Sequence, residues 1–229
     1  MLTRNRMGWS KRRLGEASEL FVAFAASAGG PVLDVGAGYG AACLAALQAG
    51  ATRVIANDLD ERHLETLDAR FEKKIGRFPR EIEFEDGSLA AIHAANVLHF
   101  LTPRQLTGGL RKIERWLRPG GKLFVQAASP YQSVWGAFPE EYLRRVEAGS
   151  AFPGVMEKVS DYVTHRMRGE MPRSIHLLDD VILRREAEAA GLVVERAWLY
   201  RWCGLPRELH LDGRETVGLI ARKIHSEAR

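Results

Sequence analysis

The chain has 229 residues, 46% hydrophobic and 27% charged, a composition that supports one substantial core of α/β size. Of its 33 basic residues, Arg4, Arg6, Lys11, Arg12 and Arg13 crowd the first thirteen positions, and 33 less these five leaves 28 against 29 acidic residues. That balance does not support a nucleic-acid footprint spread over a folded face and leaves a basic arm to touch phosphate or an acidic surface. No run approaches the roughly 18 apolar residues of a membrane helix, and residues 1–13 lack a signal peptide's apolar centre, so a cytoplasmic protein is expected. Cys43 and Cys203 offer neither a disulfide framework nor a CxxC motif and read as buried thiols. The seven histidines show no ligand spacing, so no metal is expected.

Apolar runs alternate with helical patterns from residue 32 onward, the signature of βα units and a mostly parallel sheet. Residues 14–28 read as an entry helix stopped by Gly29, Gly30 and Pro31, completing an amino-terminal arm and helix over 1–28. A short buried strand, 32–35, breaks into glycines, and a small-residue helix over 40–49 ends at Gly50. Strand two covers 52–57, a helix 60–69, and a charged third strand 71–78. Strand four, 89–98, precedes a helix start in which Thr102 caps, Pro103 fits the first turn and Gln105 reaches back. That helix runs to Leu117, Pro119–Gly121 end it, and 122–128 is strand five. A helix over 179–190 and strands over 192–200 and 216–221 complete a single domain, 1–229. Residues 129–178 fit no βα repeat and carry Tyr131, Trp135, Phe138, Tyr142, Phe152 and Tyr162; an insertion this long suits a helical lid over the site.

The sharpest motif is VLDVGAGYG, 32–40, a strand turning on Gly36, Gly38 and Gly40 into a helix. Glycines there let the backbone approach a ligand at the carboxyl edge of the sheet. Gly36, Gly38 and Ala41 also satisfy a dinucleotide pattern, GxGxxA, so the glycines alone decide little. Asp34 helps: a carboxylate two residues before the first glycine repels a pyrophosphate and attracts an ammonium group. Asp58, twenty residues after Gly38, stands where an acid accepts hydrogen bonds from ribose hydroxyls, whereas Asp60 suits a helix cap.

Taken together in order, VLDVGAGYG, VIANDLD, AANVLHFL, WLRPGGKLFV, EAAGLVV and TVGLIARK resemble a class I S-adenosylmethionine-dependent methyltransferase over roughly residues 30–222, apart from the insertion. The resemblance implies a Rossmann-like seven-stranded sheet, mostly parallel with the last strand antiparallel and helices on both faces. It implies S-adenosylmethionine as cofactor and S-adenosylhomocysteine as product. It places Asp34, Gly36, Ala37 and Gly38 near the methionine moiety, Asp58 at the ribose, Leu59 against adenine, and Asn96 near methionine or substrate. Two positions depart from the family pattern. Arg77, Phe78 and Pro79 follow Gly76 where an acid often meets adenine, which leaves Phe78 to pack against the ring; Leu89 and Ala90 replace the usual Phe-Asp pair.

Methyl transfer requires alignment, exclusion of water and sometimes removal of a proton. His99, just after strand four, is a candidate catalytic base, and Tyr131, Trp135 and His176 of the insertion are candidate substrate contacts; His165 belongs to the same segment, and Trp9 is a candidate cover for the cofactor. The expected acceptor is a small molecule methylated at O or N, with peptide, protein or RNA methylation, a nicotinamide-dependent oxidoreductase, and a non-catalytic binding module as rivals. No NPPY-like tetrapeptide follows strand four, which disfavours methylation of an exocyclic base amine.

Overall fold

The computed structural model describes residues 13–163 and 171–224. Strands β1 (Val32–Val35), β2 (Val54–Asp58), β3 (Glu72–Ile75), β4 (Leu89–Ala95), β5 (Leu117–Ala128), β8 (Leu192–Tyr200) and β9 (Thr216–Lys223) form one sheet, ordered β3-β2-β1-β4-β5-β9-β8. The first five are parallel, and β9 runs antiparallel between β5 and β8. This is the Rossmann-like α/β fold expected from the sequence.

Alternation along the strands divides the core between two faces. Leu33, Ile92, Leu123 and Leu219 point to one side, under α4 (Pro103–Trp116) and α6 (Asp180–Ala189). Val32, Ala91 and Phe124 point to the other, under α1 (Glu16–Ala25) and α2 (Ala41–Ala49). The α4 start is a capping box: Gln105 N–H donates to Thr102 Oγ1, and Thr102 N–H donates to Gln105 Oε1.

Several element limits move from their sequence expectation. Helix α3 (Glu61–Glu65) is shorter than 60–69, because Asp68 accepts the Arg70 N–H at 2.9 Å and draws the backbone into a local turn. Strand β4 stops at Ala95, where Asn96 turns left-handed at φ 59°, and a 3₁₀ turn, Leu98–Phe100, follows. Strand β5 begins at Leu117 instead of 122, since Leu117 already pairs with Leu89 as α4 ends.

The insertion is not purely helical. It holds α5 (Phe138–Glu147) and an antiparallel pair, β6 (Val155–Met156) with β7 (Ile175–His176), around its own core of Trp135, Phe138, Tyr142, Val159 and Leu177. The Leu178 N–H donates to Ala128 O at 3.2 Å, so the insertion leaves and rejoins the sheet at one place. The basic residues Arg4, Arg6, Lys11 and Arg12, together with Trp9 and His165, lie outside the described residues. Among the described residues no helix is long and apolar enough to cross a membrane, and Cys203 is exposed, unlike the buried thiol expected; it sits in the β8–β9 connection beyond the core.

Candidate active site

The carboxyl ends of β1, β2 and β4 open into a cavity of about 990 Å³, the position where open α/β sheets take ligands. Its floor is the β1–α2 turn. Gly36 is left-handed at φ 67°, and a Cβ there would stand 2.4 Å from Val97 Cγ2, so a side chain at that position would strain the turn and displace Val97.

Asp58 ends β2 beside this turn and is buried. Its Oδ2 accepts the Gly38 N–H at 2.9 Å, its Oδ1 accepts the Asp60 N–H at 2.9 Å, and His63 Nδ1 approaches Oδ1 at 3.3 Å. A carboxylate offers about four acceptor positions, so Asp58 retains acceptor capacity toward the cavity it lines. Asp60 instead accepts the Arg62 N–H and caps α3, as its position suggested. His63, unremarked in the sequence, is buried, and its Nε2 has no hydrogen-bond partner among the described residues.

Asp34 is held on both oxygens. The parallel register sets it beside His93 on the α1 side of the sheet, where His93 Nδ1–H donates to Oδ1 at 2.7 Å. The Cys43 thiol donates to Oδ2 at 3.4 Å, and burial, followed by the nearby Asp34 charge, pushes that thiol's pKa up and keeps it a donor. His93 Nε2 shares a 2.9 Å hydrogen bond with Ser18 Oγ of α1, and its ring stacks on Phe21 at 4.7 Å.

The opposite wall comes from the insertion and from residues 201–215 between β8 and β9. Val134 and Trp135 contribute from the first, and Trp202, Leu205, Pro206 and Leu209 from the second. Glu215 builds that connection by accepting the N–H groups of Leu211, Asp212 and Gly213 at 2.7, 2.9 and 2.7 Å. Burial pushes its carboxyl pKa up, but these backbone donors prevail and hold it below the usual value. Gln132 Nε2 donates to Glu215 O at 2.8 Å, which ties the two wall segments together. Gln126 of β5, buried and accepting from Tyr200 Oη at 2.8 Å, lies so close to α1 that a Cβ at Gly15 would stand 1.9 Å from its Oε1.

Of the residues singled out by sequence, Asp34, Gly36, Ala37, Gly38, Asp58, Leu59, Phe78, Asn96, His99 and Trp135 all line this cavity. Phe78 is mostly core, edge-on to Trp116 at 6.1 Å. Tyr131 and His176 are absent from the lining. Tyr131 packs against Tyr142 and under the Arg214 guanidinium, 3.8 Å from its ring, while His176 Nδ1–H donates to Leu101 O at 3.3 Å. Both serve the seat of the insertion instead of its cavity face.

His99 lines the cavity with its ring buried. Its Nδ1 accepts the Ala128 N–H at 3.2 Å, which leaves the ring proton on Nε2. Burial, then the neighbouring His176, pushes its pKa down to about 3, so the ring is neutral at physiological pH and offers a donor. His93, Ser18, Gln126 and the 201–215 connection were not found from sequence. Only a polar residue inside the apolar strand LAAIHAA signalled the first of them.

Residues 32–121 match the family described as a methyltransferase domain. No curated protein matches the chain. Among solved structures, an S-adenosylmethionine-dependent methyltransferase from Mesorhizobium loti superposes with a TM-score of 0.63 at 17% identity, covering 91% of this chain and 99% of that one. A methyltransferase of the same cofactor class from Methanosarcina mazei gives 0.62 at 17% identity, covering 85% and 92%. The geranyl diphosphate C-methyltransferase of Streptomyces coelicolor A3(2), solved with Mg²⁺, geranyl diphosphate and S-adenosylhomocysteine, gives 0.59 at 12% identity, covering 91% and 77%.

Proposed function

We propose that this protein, a class I S-adenosylmethionine-dependent methyltransferase by its matched domain and its fold, methylates an O or N atom of a small, partly planar acceptor. The observation that carries the acceptor class is the second wall of the cavity. Phe100, Val134, Trp135, Ile175 and Leu209 surround a space that, at about 990 Å³ in total, stands near the upper end of single-ligand pockets and suits cofactor and acceptor together.

The residues present fit the cofactor. Asp58 has acceptor capacity left for ribose hydroxyls, Gly36–Gly38 allow close backbone approach, and Asp34 presents a carboxylate for an ammonium group. S-adenosylmethionine supplies an electrophilic methyl carbon on a sulfonium. The chain's own contribution is to hold the two reactants in line and to keep water out behind the joined wall of insertion and β8–β9 connection. In this reading Asn96, whose N–H donates to Gln126 O at 2.7 Å, and His99 stand at the end of β4 between the two ligands. His99 Nε2–H donates a hydrogen bond to an acceptor oxygen. Leu59 and Phe78 flank adenine, and the insertion serves as the lid. A cytoplasmic setting belongs to the same proposal.

Labelled S-adenosylmethionine incubated with the metabolite, protein and RNA fractions of a native extract tests the acceptor class. Label is expected in the metabolite fraction. Salt-sensitive labelling of RNA, lost when residues 1–13 are removed, would overturn the small-molecule reading.

A further inference from the structure

We infer that His93 is a positioning residue for the cofactor: it fixes the plane in which the Asp34 carboxylate meets the methionine ammonium, and through Ser18 it makes that placement depend on a docked α1. The inference rests on the methyltransferase reading.

A carboxylate turns about its last side-chain bond, and only donors on its oxygens hold it in one orientation. Asp34 has one donor on each: His93 Nδ1–H at 2.7 Å on Oδ1 and the Cys43 thiol at 3.4 Å on Oδ2. The thiol is a weak donor, whereas the imidazole bond is short and involves a charged acceptor. The orientation of Asp34 is therefore set from β4. Strand pairing keeps it so, because Asp34 and His93 are register partners and their side chains leave the sheet on the same face.

His93 is itself held from α1. Ser18 Oγ lies 2.9 Å from Nε2, and Phe21, three residues on and so on the same helix face, stacks on the ring at 14° between planes. All four side chains are buried, and Ser18, Asp34 and His93 border the cavity. A histidine serving only to fill the core would need neither polar partner, and Leu or Ile, as at Ile92 on the opposite face, would fill the space without them.

The test is calorimetry on the full chain with S-adenosylhomocysteine and with 5′-methylthioadenosine, which keeps the adenosine but lacks the amino-acid group. The wild type is expected to bind both. In His93→Leu, affinity for S-adenosylhomocysteine should fall about tenfold or more while that for 5′-methylthioadenosine stays unchanged. His93→Asn, which returns a donor near the Nδ1 position, should recover the loss, and Ser18→Ala should show the same selective loss in weaker form. Equal losses for both nucleosides in His93→Leu, unchanged S-adenosylhomocysteine affinity, or no recovery in His93→Asn would each overturn the role given to His93. A wild type that binds neither nucleoside would instead overturn the parent reading, and this inference with it.

Discussion

Asp58 and Asp60 stand two residues apart, yet one faces the cavity and the other belongs to the scaffold. Asp58 spends its hydrogen bonds on the Gly38 and Asp60 amides and faces the cavity, whereas Asp60 caps α3 and clasps Arg62 at 2.8 and 2.6 Å. Asp58→Ala is expected to lower S-adenosylhomocysteine affinity about tenfold or more, because hydrogen bonds to a charged group are lost where the proposed function puts the ribose. Asp60→Ala should lower the thermal midpoint and leave that affinity in place. Calorimetry and thermal melts of the two variants check this, and equal affinity losses would show that α3, not the carboxylate of Asp58, governs ribose recognition. The Asp60 cap and the placement of Asp58 at the cavity edge were legible in the sequence because both depend on local geometry, a helix start and a strand end. The pairing of Asp34 with His93 spans 59 positions and rests on which two strands are neighbours, so no local pattern announced it.

At the level of elements, the insertion and the β8–β9 connection stand together as one wall, and the main sheet does not need them for its own core. The insertion's ends meet at Ala128 and Leu178, so a short Gly/Ser linker in place of residues 130–176 can close without pulling the sheet apart. Such a variant is expected to keep S-adenosylhomocysteine binding within a few-fold and to lose methyl transfer, measured by calorimetry and by label incorporation. Loss of cofactor binding on the same scale as in Asp58→Ala would show that the insertion helps to build the cofactor half. Helices α4 and α6 were readable to within a residue because their starts carry explicit caps, Thr102 with Gln105 and Asp179 with the Ile182 N–H at 2.8 Å. Helix α3 and the interior of the insertion were less so. In α3 the competing turn at Asp68 is as strong a local signal as the helix, and the pair β6–β7 joins two-residue strands too short to carry alternation.

For the whole molecule, two buried imidazoles set an acid limit. Burial pushes His99 to a pKa of about 3 and His176 to about 4, far below the value of about 6.5 that each regains on unfolding. Above the unfolded value both states are neutral and nothing changes. Below it the unfolded chain takes up protons that the folded chain refuses, so stability falls as pH drops from about 6.5 toward the folded values, by about 1.4 kcal/mol per pH unit for each group. Urea unfolding at pH 7, 6 and 5 should show that slope, and His176→Asn, which keeps a donor toward Leu101 O, should reduce it to the share of His99. A flat profile between pH 6.5 and 5 would contradict buried neutral rings. The placement of β9 has another consequence, in time instead of space. Among the described residues, strand β8 joins the sheet only through β9, and β5 pairs on that side with β9 as well. Any route to the native sheet therefore leaves one side of β5 and one side of β8 open until residues 216–223 dock. A chain cut before Thr216 would leave those two strand sides without their shared partner, and docking of β9 is the event that closes both.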